Sequence, residues 1–167
     1  TQRSRAIAIL NALLGSWNRK GGFYIPEKVD LPKYPLPDYP TPKYTTGDAY
    51  PGKSPFESQG VTNGVIDASI GDDAFFKGWL VYGTNLPQTI PNSAARLEAA
   101  AESLDLVVVV ETMPSEMSGY ADVILPECTY LERYDELRNS GERHPSLGLR
   151  MPALEPKYES KPGWWIA

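Results

Sequence analysis

The sequence predicts an α/β fold, a partial α/β/α (Rossmann-like) layered domain with parallel strands that also carries a long Pro/Tyr-rich extended loop. Two apolar runs, at 79–82 and 106–110, flank an Ala-rich segment, and a third run follows at 123–125. Runs without polar alternation suit strands that are covered on both faces. The first connection is also long enough for a parallel crossover, which needs about a dozen residues. These runs therefore predict three neighbouring parallel strands.

The chain is predicted to open with an amphipathic helix. Ile7, Leu10 and Trp17 recur at helical spacing and give the segment one apolar face. The helix is expected to end near residues 16–17, because the glycine pair 21–22 follows and glycine readily closes a helix.

A segment rich in proline and tyrosine, residues 26–60, follows this helix. Proline excludes a helix here and disfavours a central strand. Two interpretations remain open: an extended arm that lies over a neighbouring surface, or an unstructured linker. The tyrosines favour the arm, since disordered linkers tend to be poor in aromatic residues.

Two shorter helices are predicted around the first strand. Residues 61–70 can form one, although Gly64 weakens it, and Asn92 can cap an Ala-rich helix that runs to Leu104. Beyond Asp135 the pattern becomes polar and rich in glycine and proline, without a predicted element.

The composition excludes several classes of function. A formal net charge of -5 and a pI near 4.9 argue against a nucleic-acid binder, which usually presents a basic face. With one cysteine, Cys128, and one histidine, His144, the chain alone can form neither an internal disulfide nor an iron-sulfur or four-cysteine zinc site. The apolar pattern continues to both ends, so we interpret the chain as a piece of a longer polypeptide.

Polar residues follow each predicted strand. The exits are Gly83-Thr84-Asn85, Glu111-Thr112 and Glu127-Cys128. In open parallel sheets, ligands bind in the crevice outside the carboxyl ends of the strands. We therefore expect these exits to form one rim that holds a ligand.

Four segments of the chain resemble a known family. The chain is similar to the catalytic subunit of the molybdopterin oxidoreductases of the dimethyl-sulfoxide-reductase superfamily, most like the polysulfide, thiosulfate and tetrathionate reductase group. The matching segments are RAIAILNALLGSWNRKGGFYIP, GWLVYGTNLPQTIPN, LVVVVETMPSEMSGYADVILPECTYLERYD and YESKPGWWIA.

The resemblance implies a bis(molybdopterin guanine dinucleotide) cofactor with molybdenum, and an iron-sulfur cluster in the full-length subunit that this segment does not bind. It implies an inner fragment that contributes cofactor binding, while the metal ligand lies upstream, so the fragment alone is not expected to be active. Expected partners are the remainder of the catalytic subunit, an iron-sulfur electron-transfer subunit and a membrane anchor subunit, in a periplasmic or membrane-associated enzyme. The implied organisation is a helix of the α/β/α domain at 1–25, the arm at 26–60, a nucleotide-binding α/β/α unit at 61–140 and a connector toward the next domain at 141–167.

Five residues match positions at which the family contacts the cofactor: Gly83, Thr84, Asn85, Glu111 and Arg133. Glycine lets the backbone approach a bulky ligand, and asparagine offers a donor and an acceptor. A strand-end carboxylate can accept from ribose hydroxyls or a guanine edge, and a guanidinium suits a diphosphate. The alternatives are an ordinary turn at 83–85, a solvent-facing Glu111, and a surface ion pair of Arg133 with Glu132 or Asp135. No catalytic residue and no metal ligand is assigned.

Three other residues are given structural roles. Asp122 precedes a buried strand and is expected to tie neighbouring backbone amides. Cys128 is interpreted as a partly buried core thiol, and His144 as a loop residue. Some relatives carry a cofactor-contacting Asp at the position of Gly163. Glycine lacks that side chain, so no contact is inferred there.

Two functions from other classes remain open. One is a stand-alone nucleotide-binding or protein-interaction module without redox activity, although neither a Gly-x-Gly-x-x-Gly turn nor a P-loop is present. The other assigns the function to the Pro/Tyr arm, which would dock a partner as an extended segment.

Overall fold

The computed structural model describes residues 2–33, 35, 38–41, 43 and 62–167. It divides the chain into two compact units: a hairpin unit, Thr1–Pro37 with Tyr134–Met151, and a sheet unit, Asp38–Arg133 with Pro152–Ala167. The described elements are α1 Gln2–Leu13, α2 Thr62–Asp67, β1 Gly78–Tyr82, α3 Leu86–Thr89, α4 Ala94–Ser103, β2 Leu106–Glu111, a 3-10 helix Glu116–Tyr120, β3 Val123–Pro126, β4 Arg138–Ser140, β5 Ser146–Gly148 and α5 Gly163–Ile166.

The sheet unit is built on three parallel strands in the order β1-β2-β3. Tyr82 at the end of β1 lies beside Val110 of β2, and Glu111 lies beside Pro126 of β3. The three carboxyl ends therefore meet at one edge. The predicted α/β class and the three predicted strands are confirmed.

One face of this sheet carries the core. Val107 and Val109 of the central strand are buried with Val81 and Met117, so that the 3-10 helix covers this face. The other face is more exposed within the described residues: Leu80 is 68% exposed there, although Val110 near the carboxyl edge is buried. A second buried cluster joins α2 to α4 through Ile66, Leu97 and Ala100.

Around β1 the structure corrects the predicted helix boundaries. The predicted helix at 61–70 is present as the shorter α2. Helix α4 starts at Ala94 with Ser93 as its N-cap residue, whereas Asn92 adopts a left-handed turn at φ 51° and does not cap. The short α3 was not predicted, because a four-residue helix has too few positions to show a helical period.

Asp122 ties two strands together, as the sequence predicted. Its Oδ2 accepts a hydrogen bond from the Val107 amide at 2.7 Å, and its own amide donates to the Val107 carbonyl at 2.9 Å. This reciprocal pair fixes the starts of β2 and β3 relative to each other. With the starts fixed, the lengths of the strands determine where their carboxyl ends lie.

In the hairpin unit, α1 ends earlier than predicted. The Gly15 amide donates to the Ala12 carbonyl and the Ser16 amide donates to the Asn11 carbonyl, both at 3.0 Å, with Gly15 at φ 59°. These bonds form the Schellman motif that closes a helix, so Gly15 ends it and not the pair at 21–22. The apolar face is exposed in the described structure, with Leu10 59% accessible.

The hairpin β4–β5, which pairs Arg138–Ser140 with Ser146–Gly148, was not predicted either. Its short strands carry little apolar alternation. Most of the predicted Pro/Tyr arm, including 44–60, lies outside the described residues. Across the described ranges, no helix is both long and apolar enough to cross a membrane.

Candidate functional site

The strand exits form one continuous edge, which we call the rim. The Gly83 amide donates to the Val110 carbonyl at 3.5 Å, and the Glu127 amide donates to the Glu111 carbonyl at 2.9 Å. A further segment joins beyond β3, since the Cys128 amide donates to the Lys161 carbonyl at 2.9 Å. The parallel register confirms that the three exits lie side by side, as the sequence predicted.

A buried carboxylate connects the outer exits. Glu127 is 7% exposed, and its Oε1 accepts hydrogen bonds from the Tyr82 hydroxyl and from Nη1 of Arg133. Arg133 Nη1 also lies 3.4 Å from the Cys128 carbonyl. Tyr82 ends β1 and Glu127 follows β3, so these bonds span the end of the central strand. We call Tyr82, Glu127 and Arg133 the carboxylate hub.

The hub further favours the protonated form of Tyr82. The hydrogen bond to Glu127 raises the pKa of the Tyr82 phenol above its ordinary value of 10.0, and partial burial raises it further. A group whose pKa is raised on folding adds stability below its unfolded pKa and loses it as the pH rises through the folded value. The phenol therefore remains a donor to Glu127 throughout the neutral range.

Gly163 provides the space that the hub occupies. A Cβ atom at this position would lie 2.7 Å from Glu127 Oε1 and would overlap the Tyr82 hydroxyl. With the hub side chains in these positions, glycine leaves the space that they need, and a larger residue would displace them. The hydroxyl and the carboxylate thus fill the place of a side chain at position 163.

A second carboxylate connects the exits of β1 and β2. Glu116 accepts from Asn85 Nδ2 at 2.6 Å and from Gln88 Nε2 at 3.0 Å. The bond from Asn85, then the backbone of Glu116 itself, then Gln88 lower the pKa of the Glu116 carboxyl. With its amide nitrogen held by Glu116, Asn85 keeps its Oδ1 as a buried acceptor that has no partner among the described residues.

We predict that acid will loosen this connection. Because folding lowers the pKa of Glu116 from its ordinary 4.5, its contribution to stability is present above that value and is lost as the pH falls through the folded pKa. Hydrogen exchange of peptides covering 83–89, followed from neutral pH down through pH ~4, should show accelerated local opening at the acid end, after correction for intrinsic exchange. Glu116→Gln should abolish this pH dependence, and an unchanged acid response in that variant would contradict the assignment.

The other rim residues are held by local bonds. Glu111 is half-buried, and its Oε1 accepts from the Ser115 hydroxyl at 2.9 Å, so it is not simply a water-facing carboxylate. Gly83 adopts φ +61°, and no atom lies within 4 Å of the place where a Cβ would be. Thr84 is half-buried between Gly83 and Asn85.

All five predicted site residues lie in the sheet unit, at or next to the rim. Arg133 is paired with Glu127, a partner that the sequence pattern did not indicate. Sequence reasoning assigned no role to Tyr82, Glu116 or the Glu127 side chain, because their importance depends on contacts between residues 31 to 45 positions apart. Within the described part of the chain, no cluster of metal-ligating side chains is present.

The two residues interpreted as structural keep that interpretation. Cys128 is fully buried, with its Sγ 3.8 Å from the Ser160 hydroxyl. His144 lies in the loop between β4 and β5 of the hairpin unit. Neither side chain takes part in the rim bonds described above.

Comparison with known proteins identifies similar chains. The family model for molybdopterin oxidoreductase matches residues 7–167. The molybdopterin-containing subunit of thiosulfate reductase from Salmonella typhimurium is 34% identical, in an alignment that covers 97% of this chain and 23% of that subunit. One chain of the sulfite dehydrogenase from Allochromatium vinosum is 39% identical over 35% of this chain and 7% of its own length.

The respiratory nitrate reductase 1 alpha chain from Escherichia coli is 36% identical, over 38% of this chain and 5% of its own. The chain therefore spans less than a quarter of the length of each of these relatives. The long alignment supports the family resemblance over nearly the whole chain, and the short alignments support it over little more than a third of the chain.

Proposed function

Because the chain belongs to the molybdopterin oxidoreductase family, we propose that it is an inner part of a catalytic subunit whose rim binds a molybdenum bis(molybdopterin guanine dinucleotide) cofactor. The observation that carries this proposal is the meeting of three parallel strand exits at one edge, where the ligand crevice of such sheets lies. In this proposal Gly83, Thr84, Asn85, Glu111 and Arg133 contact the cofactor.

The chemistry of the rim fits such a group. The buried Asn85 Oδ1 lacks a donor among the described residues, and an unpaired buried acceptor costs about 1–3 kcal/mol. A heterocyclic N–H or a ribose hydroxyl from the cofactor would supply that donor. The open space at Gly83 admits a bulky group, and a guanidinium such as that of Arg133 suits a diphosphate.

In this arrangement the bound group supplies the redox chemistry, and the chain supplies binding and orientation. Glu116 fixes which end of the Asn85 amide is the acceptor, and Glu127 fixes the position of Arg133. These contacts form within the chain, so the rim is organised before any ligand arrives. No residue of the chain is assigned to the metal or to proton transfer.

The long alignment supports the enzyme class that we propose. The Salmonella relative is named a thiosulfate reductase, and its alignment covers nearly all of this chain. We therefore assign the intact enzyme to the polysulfide/thiosulfate reductase type, which passes electrons to a sulfur-sulfur bond. The proposed partners are the rest of the catalytic subunit, with its iron-sulfur cluster, an iron-sulfur electron-transfer subunit and a membrane anchor subunit.

Acid treatment of the purified intact polypeptide tests the cofactor proposal. Expression in molybdenum-replete cells should give protein that releases guanine nucleotide, about two per molybdenum if both pterins carry the nucleotide. A preparation with molybdenum but without guanine nucleotide would contradict the dinucleotide form. A preparation with neither would favour the alternative of a nucleotide-binding or interaction module without redox activity.

A further inference from the structure

The hairpin unit contains a cleft of about 710 Å³ that shares no residue with the rim. Tyr24 and Lys28 line one wall, and residues 138–144 line the other. We call it the basic cleft. It lies entirely within one compact unit, so its shape follows from the contacts of that unit alone.

The two walls are joined at two points. Glu27 and Glu142 exchange backbone hydrogen bonds at 3.1 and 3.0 Å. The Asn139 side chain accepts from the Val29 amide at 3.0 Å and donates to its carbonyl at 2.7 Å. These four bonds fix the distance between the walls, so the cleft is a built feature and not a gap between loose loops.

Gly141 allows the walls to approach. A Cβ atom at this position would lie 2.9 Å from the Pro26 Cβ, closer than such atoms normally come. A side chain here would therefore push the walls apart. The glycine therefore keeps the two walls, and the cations that they carry, close together.

Positive groups dominate the lining. Lys28 projects from one wall and Arg138 and Arg143 from the other, whereas Glu142 is the acid among the lining residues. Lys28 and Arg143 have no salt bridge within the described ranges, and the Arg143 guanidinium lies 6.0 Å from the centre of the Tyr24 ring. The chain as a whole has a net charge of -5, so the positive charge of this cleft is opposite in sign to that of the chain.

We propose that the basic cleft binds a small dianionic oxyanion such as sulfate, phosphate or thiosulfate. Guanidinium and ammonium groups on facing walls bind the oxygens of one anion through charge-assisted hydrogen bonds. Most of the lining side chains are polar or charged, which suits a small anion better than a hydrophobic ligand. A concave site with an excess of positive charge also raises the local concentration of anions. The cleft is lined by residues other than those of the rim, and the proposal does not depend on the proposed function.

Hydrogen exchange of the intact polypeptide tests the site, with inorganic sulfate as the probe and sodium chloride used to keep the ionic strength constant. Sulfate is expected to slow exchange in peptides covering 22–31 and 138–146. Lys28→Gln combined with Arg143→Gln should weaken binding by about a hundredfold, because two charge-assisted contacts are lost. Lys28→Arg keeps the charge and should retain binding.

Arg3→Gln combined with Arg5→Gln is the matched control, since it removes the same charge from α1, outside the cleft. The control should bind sulfate like the wild type. The proposal is overturned if sulfate protects neither segment in the wild type, or if the cleft variant and the α1 variant respond alike. Titrations with phosphate and thiosulfate then rank the possible sources of the anion.

Discussion

Replacing Glu127 with alanine should destabilise the sheet unit by about 3–5 kcal/mol, the range found when one partner of a buried ion pair is removed. The Glu127 side chain is 6% exposed and that of Arg133 is 20% exposed, so water cannot replace the lost carboxylate freely. The Tyr82 hydroxyl loses its acceptor at the same time. Native-state hydrogen exchange of the β1 and β3 amides in the intact polypeptide measures this loss directly.

Two further variants show whether charge or shape is responsible. Glu127→Gln keeps the shape and an acceptor for the Tyr82 hydroxyl but removes the charge, and it should give an intermediate loss. Glu98→Ala removes an exposed carboxylate from α4 and should change stability by less than about 0.5 kcal/mol. If Glu127→Ala were as mild as Glu98→Ala, the hub would contribute nothing to the sheet unit.

The strands could be predicted from the sequence because their signal is local. An unbroken aliphatic run such as 106–110 specifies a buried parallel strand without reference to the rest of the chain. The helix boundaries were less accurate, because several residues compete for the same role. Asn92 and Ser93 are both good capping residues, and Gly15 precedes the more conspicuous pair at 21–22.

The position of the rim could also be predicted, whereas its internal bonds could not. Topology places the exits together once the strands are parallel, so residues 83–85 and Glu111 could be identified from their positions alone. The choice of Glu116 and Glu127 as acceptors depends on side chains that meet across 28 to 45 residues. A single sequence carries no signal for such pairs. The cleft of the hairpin unit was missed for the same reason.

Gly83→Ala should separate cofactor binding from simple turn formation. Alanine at φ +61° costs about 1–2 kcal/mol, because left-handed backbone is unfavourable for a residue with a Cβ. If the backbone at Gly83 approaches the cofactor, the added methyl group also enters the space that the ligand needs. We therefore expect the affinity for the nucleotide to fall by about tenfold, which corresponds to about 1.4 kcal/mol. The guanine nucleotide released per polypeptide should fall with it.

Gly71→Ala is the matched control for this variant. Gly71 has φ +94°, no atom within 4 Å of its missing Cβ, and a place in the same sheet unit away from the rim. Because both glycines have a positive φ and open surroundings, both variants should lose stability in thermal melting. Only Gly83→Ala should lose cofactor. Equal nucleotide content in the two variants would make Gly83 an ordinary turn residue, and the contact with the cofactor would then have to be sought at Asn85 and Arg133.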